Sequence, residues 1–133
     1  MKPVFADTFY YLALLSPRDP AHEQAVDLTH GLRARLVTTG WVLMEVGDAM
    51  SLPKNRELFA ALLNGLKRNP KVTIVPASQE LFNRGVEYFR ERPDKEWTLT
   101  DCTSFIVMQQ GEMTDALTGD HHFEQAGFAA LLK

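Results

Sequence analysis

The sequence predicts an α/β protein, a three-layer α/β/α sandwich around a short central parallel sheet, and three observations predict it. Short apolar, β-branched segments alternate with longer stretches of helical periodicity along the whole chain. Each strand-like segment runs into a helical one before the next strand begins, and strands joined by such crossovers pair in parallel with helices on both faces. The length, 133 residues, suits one domain spanning 1–133 and able to bury well over half of its unfolded surface.

Pro3-Val-Phe-Ala6 reads as a buried strand stopping at Asp7, and Thr8 to Leu15 as a helix ending before Ser16-Pro17. Asp19-Pro20 signals a second helix, Ala21 to Leu32, with apolar Ala25, Val26 and Leu32 and with Gly31 at its end. Leu36 to Thr39 is β-branched and short, a second strand, and Trp41 to Met50 is helical until Pro53 closes it. From Asn55 to Lys67, Leu58, Phe59, Leu62, Leu63 and Leu66 form one helical stripe, stopped by Asn69-Pro70.

Val72 to Val75 is a third strand, and Ser78 caps a helix through Arg92 whose inner side is expected to hold Leu81, Phe82, Val86 and Phe89. Pro93 ends it. Leu99 to Gln110 is helical up to Gly111, Met113 to Leu117 is a fourth strand, and a short helix at His121 to Gln125 precedes Gly127 and an apolar tail, Phe128 to Leu132. The chain has no internal repeat, low-complexity tract or flexible linker composition.

Composition narrows the classes. Hydrophobic residues at 45% and charged residues at 23% exclude disordered and fibrous chains. One cysteine, Cys102, excludes an internal disulfide framework and a four-cysteine zinc site, and it suits a reducing cytoplasm. Pro3 and Asp7 interrupt the first apolar run, so no signal peptide is expected, and no stretch is long enough to span a bilayer. A net charge of −3 counts against a broadly basic nucleic-acid surface, unless the negative charge is gathered in a pocket that metal ions neutralise.

The carboxylates supply the chemistry. In open parallel sheets, ligands bind beyond the carboxyl ends of the strands. Asp7 ends the first strand, Glu45 lies about one turn into the helix after the second, Asp101 sits in the first turn of its helix, and Asp120 follows the fourth strand. Four acids converging on one pocket repel one another and call for a cation between them. Oxygen-only donors favour Mg²⁺ or Mn²⁺, ions suited to phosphodiester hydrolysis by an activated water. Each acid also has a purely structural role open to it: Asp7 and Asp120 as helix caps, Thr98 with Asp101 as a capping box, Glu45 as a surface residue. Glu45 is the hardest to assign that way, because Trp41, Val42, Leu43, Met44 and Val46 around it are apolar. Asp48, one turn on, is a candidate companion for it.

These residues resemble PIN-domain ribonucleases, and most closely the VapC-type toxins of bacterial toxin–antitoxin pairs. The resemblance runs from end to end, through Val4-Phe-Ala-Asp7-Thr8, Thr39-Gly-Trp-Val-Leu-Met-Glu45, Leu99-Thr-Asp101-Cys-Thr-Ser104-Phe105, and Ala116-Leu-Thr-Gly-Asp120-His-His-Phe123 to Ala126-Gly-Phe128. It implies that Asp7, Glu45, Asp101 and Asp120 bind metal and that Thr8, Ser104 and Thr118 assist them. It further implies cleavage of RNA with Mg²⁺ or Mn²⁺ to leave a 5′-phosphate and a 3′-hydroxyl, a homodimer, and a VapB-like antitoxin for which Phe9, Tyr10, Leu14 and Met50 are candidate contacts. Two alternatives share the fold: a nuclease of RNA processing without an antitoxin, and a binding module without catalysis. Among phosphotransferases an aspartate also follows the first strand, but the second aspartate they use is missing after Asp7, and neither GxGxxG nor GxxxxGK[ST] occurs.

Other features attract the blander reading. His121 and His122, adjacent on a helix and pointing about 100° apart, are expected at the surface rather than around zinc. Cys102 reads as a small buried residue, since no base is matched to it. Arg33, Arg35, Lys54, Arg56, Lys67 and Arg68 suit a solvated surface as well as RNA phosphates.

Overall fold

A computed structural model describes residues 1–133. The elements run β1 (Val4–Ala6), α1 (Thr8–Leu15), α2 (His22–Gly31), β2 (Leu36–Thr39), α3 (Gly40–Ala49), α4 (Pro53–Arg68), β3 (Val72–Val75), α5 (Gln79–Glu91), α6 (Leu99–Gln110), β4 (Asp115–Leu117), α7 (His121–Gln125) and β5 (Ala129–Ala130). The strands form one sheet in the order β3-β2-β1-β4-β5, every pair parallel. The chain steps outward from β1 to β3, then crosses back to β4 and β5 on the other side of β1. Because parallel crossovers are right-handed, the two directions of travel put helices on opposite faces, as the strand–helix alternation predicts.

That topology makes the seam between β1 and β4 the point where strand order reverses, the usual position of a ligand crevice in such sheets. Phe5 pairs with Ala116 and Ala6 with Leu117, so Asp7 and Thr118 emerge from neighbouring strand ends. α6 carries the core across one face: every residue from Asp101 to Met108 is buried. An aromatic chain stitches it to its neighbours. Phe105 meets Phe123 edge-on at 4.9 Å and Trp97 at 5.0 Å, and Phe123 lies 6.2 Å from Phe5 of the central strand.

Four expectations need correcting. The apolar tail contains a fifth strand, in which Ala129 and Ala130 pair with Asp115 and Ala116. Gly127, at φ +96°, turns the chain back to reach that edge. Pro53 does not merely end α3; it occupies the first turn of α4, where its missing N–H costs nothing, so α4 runs Pro53–Arg68 rather than Asn55–Lys67. The fourth strand begins at Asp115, since Met113 still closes the turn after α6 by donating its N–H to the Met108 carbonyl. Finally, Phe82 and Phe89 are 39% and 45% exposed.

The last correction has a local cause. A Cβ at Gly85 would sit 2.6 Å from Cγ2 of Thr103, so the glycine lets α5 lie directly against α6. With Gly85 at the contact, Leu81 and Tyr88, one turn either side, face inward and Phe82 and Phe89 rotate outward.

Gly85→Ala should therefore destabilise the protein by about 1–2 kcal/mol despite the better helix propensity of alanine. In a Thr103→Ser background, which removes Cγ2, the same change should become neutral or stabilising; urea denaturation of the four proteins checks the reversal of sign.

Candidate active site

The site is assembled from strand ends and helix starts. Asp7 occupies the cap position of α1, yet its side chain makes no capping hydrogen bond. Its Oδ2 instead accepts a 2.8 Å hydrogen bond from Oγ1 of Thr118, which follows β4. The same Thr118 oxygen accepts the backbone N–H of Asp120 at 3.0 Å. One buried hydroxyl thus spaces two acids from opposite ends of the chain.

Asp120 caps α7, its Oδ1 accepting the N–H of His122 at 2.9 Å. Asp101 closes a capping box with Thr98, as the sequence suggested: Thr98 Oγ1 accepts the Asp101 N–H, and Asp101 Oδ2 accepts the Thr98 N–H at 3.1 Å. Glu45, half-buried on α3, accepts a 2.7 Å hydrogen bond on Oε1 from Thr8 Oγ1, which ties it to the residue beside Asp7. No protein donor reaches Asp101 Oδ1, Asp120 Oδ2 or Glu45 Oε2. Ser104, one turn beyond Asp101, is fully buried with its hydroxyl unpartnered.

Electrostatics set this cluster apart from ordinary caps. Burial pushes the Asp7 carboxyl up to about 7 against the pull of the Thr118 hydrogen bond, and repulsion from Asp101 and Asp120 adds to the rise. Asp101 is raised for the same reason, desolvation first and then repulsion from Asp120, while Thr98 and His122 partly offset it. Asp7 and Asp101 are buried, Asp120 near them is partly exposed, and Glu45 is tied by Thr8 to the residue next to Asp7.

His122 corrects the sequence reading. Its side chain is only 17% exposed, and Nδ1 lies 3.0 Å from Asp101 Oδ2 and 3.5 Å from Asp120 Oδ1, whereas His121 does stay exposed. Adjacency had argued against the two histidines acting as a pair, but it says nothing about one of them acting alone. The ligand atoms of Asp120, His121 and His122 all lie within 4.8 Å of one another, a group that could hold a metal ion; Asp7, Glu45 and Asp101 lie outside that trio. Asp48 is exposed and makes no hydrogen bond to Glu45. Cys102 is buried, its thiol pushed up to about 11 by burial and by Asp101, as suits an inert core thiol. Tyr10 is a core residue bonded to Thr29, and Met50 is largely buried too, leaving Phe9 the exposed member of that set. The six basic residues noted in the sequence are all exposed.

A parallel five-stranded α/β sandwich with acids near the point where strand order reverses is the architecture that the PIN-domain resemblance implied. The comparisons narrow the class, although no family model matches the chain. VapC20 of Mycobacterium tuberculosis, described as a 23S rRNA-specific endonuclease, is 25% identical over 127 residues, covering 94% of this chain and 95% of its own. The crystal structure of VapC20, described as a sarcin-ricin loop cleaving toxin, superposes with a TM-score of 0.85 at 23% identity, covering 95% and 96% of the two chains. VapBC2 from Rickettsia felis, bound to a DNA fragment from their promoter, gives 0.67 at 13% identity, covering 96% of each chain. FitAcB from Neisseria gonorrhoeae gives 0.65 at 18%, covering 96% and 94%. The chain is therefore similar to a VapC protein over nearly its full length and shares its fold, in line with the resemblance read from the sequence. No helix is long and apolar enough to cross a membrane.

The Asp7 shift makes a prediction for the metal-free protein. A carboxyl raised from 3.8 to about 7 binds its proton more tightly folded than unfolded. Between those values the folded state holds the extra proton, so this group's contribution to stability falls as pH rises from about 4 to about 7 and stays low above. Asp7→Asn should abolish that loss, raising the melting temperature at pH 8 while changing it little at pH 4; melts across pH in a chelator test it.

Proposed function

We propose that this chain is a divalent-metal-dependent endoribonuclease and the toxin of a toxin–antitoxin pair. The observation that carries the reading is the buried Asp7 carboxyl, held by Thr118 and raised to about 7 among Asp101 and Asp120. Such a group stays costly until a cation neutralises it.

The donor set fits a hard divalent ion. Each of Glu45, Asp101 and Asp120 commits one oxygen to the protein and keeps the other free, and oxygen donors suit Mg²⁺ or Mn²⁺. Asp7, Glu45, Asp101 and Asp120 would hold the metal. When bound, it supplies a water acidic enough to attack a phosphodiester and positive charge for the leaving oxygen. Around it, Thr8 holds Glu45 and Thr118 holds Asp7. Ser104, one turn beyond Asp101 with a buried, unpartnered hydroxyl, would assist these acids.

RNA as the substrate rests on VapC20, the 23S rRNA endonuclease similar to this chain over nearly its full length. A VapB-like antitoxin is inferred from the likeness to VapC proteins, VapBC2 among them. A groove between α1 and α3–α4, where Leu12, Leu15, Met50 and half-exposed Leu58 lie beside Arg18, Asp19 and Lys54, offers a mixed apolar and charged surface such a partner would cover. A homodimer acting in the cytoplasm completes the reading.

Cleavage mapping of total RNA with purified protein, with and without Mn²⁺, tests it. Ribosomal RNA should be cut only with the metal, leaving 5′-phosphate ends. Asp7→Asn and Asp101→Asn should each cut on the order of a hundredfold more slowly or worse. Metal-independent cleavage, or full activity in both variants, would refute the site. A fold-only binding module would cut nothing under any condition, and a nuclease without an antitoxin would cut RNA yet capture no product of a neighbouring gene on co-purification.

A further inference from the structure

His122 joins two acids that come from different parts of the chain. Asp101 opens α6 and Asp120 opens α7, and the His122 imidazole lies against both carboxylates, hydrogen-bonded to Asp101 Oδ2 at 3.0 Å and 3.5 Å from Asp120 Oδ1. Its backbone N–H is already fixed by Asp120 Oδ1, which seats the residue in the first turn of α7. Phe123, beside it, is fully buried against Phe105 of α6, so the helix carrying the imidazole is anchored by packing.

At Asp101 the donors are distributed unevenly. Oδ2 receives both the Thr98 N–H at 3.1 Å and His122 Nδ1 at 3.0 Å, and Oδ1 receives none. An ionised carboxylate only accepts, so Nδ1 carries the proton in this contact. Two donors on one oxygen fix the plane of the carboxylate and leave the opposite oxygen for another ligand. Outer-shell donors of this kind set the direction of a metal-binding group, and their loss weakens metal affinity by about ten- to a hundredfold.

We propose that His122 is a positioning residue: it clamps Asp101 Oδ2 through Nδ1–H, ties Asp101 to Asp120, and so presents the free Oδ1 of Asp101 to a divalent cation in the acidic pocket. The inference rests on the metal-dependent reading above and adds to it a residue outside the four acids. The role belongs to the hydrogen-bond donor, not to the bulk of the ring. A phenylalanine would keep the packing and lose the clamp, whereas an asparagine amide would restore a donor near the place of Nδ1.

The test is Mn²⁺ binding to the full-length apoprotein, followed through the electron paramagnetic resonance signal of the free ion. His122→Phe and His122→Ala should bind Mn²⁺ about tenfold more weakly or worse, and His122→Asn should stay within about threefold of wild type. The cleavage defect of His122→Phe should also be repaired largely by excess Mn²⁺. Unchanged Mn²⁺ affinity in His122→Phe, or a His122→Asn protein as weak as His122→Phe, would overturn the proposal. Asp7→Asn separates this failure from that of the underlying reading. If it loses Mn²⁺ while His122→Phe keeps it, only the clamp is wrong; if it binds Mn²⁺ normally, the acidic pocket and the clamp fall together.

Discussion

The hydrogen bond from Thr118 to Asp7 joins residues 111 positions apart at the place where the sheet reverses its strand order. The backbone repeats the join, the Asp7 N–H donating to the Leu117 carbonyl at 3.3 Å. From this seam the remaining geometry follows. Thr8, next in the chain, reaches Glu45 on α3, and Thr118, through its contact with the Asp120 amide, sets the start of α7. The burial of a carboxylate at position 7, repelled by two others, is the strain around which the protein is organised.

The acids answer to two demands at once. Asp101 closes a capping box and Asp120 caps α7, so the structural reading of each is correct as far as it goes. A carboxylate has two oxygens, however, and a cap occupies only one. Stabilising the fold with Oδ2 of Asp101 therefore does not spend its Oδ1. Asp7 is the exception that identifies the cluster: it occupies a cap position, makes no cap, and is the most perturbed acid of the group.

Legibility in the sequence follows the range of the interactions involved. The strand–helix alternation, the Thr98–Asp101 box and the order of the acids are local patterns, and the sheet's parallel pairing follows from them. What was missed depends on packing between distant segments. His122 meets Asp101 across 21 positions with no periodicity to announce it. Phe82 and Phe89 look like core residues until the close approach of Gly85 to Thr103 decides which side of α5 faces inward. β5 is two alanines without β-branched or aromatic character, and only the turn at Gly127 brings them to the sheet edge.

Charge distribution would reconcile an acidic protein with the anionic substrate proposed for it. The excess of acids over bases is small, and at least three of the acids are confined to the crevice at the β1–β4 seam, while Arg33, Arg35, Lys54, Arg56, Lys67 and Arg68 are exposed elsewhere. A single dication bound as proposed would cancel two of the three excess negative charges, at the crevice where the proposed substrate's phosphate would approach. Without a metal the crevice would repel a polyanion; with the proposed dication bound, the same residues would present a cation. Under the proposed function, affinity for RNA and affinity for the ion would be linked through one set of side chains.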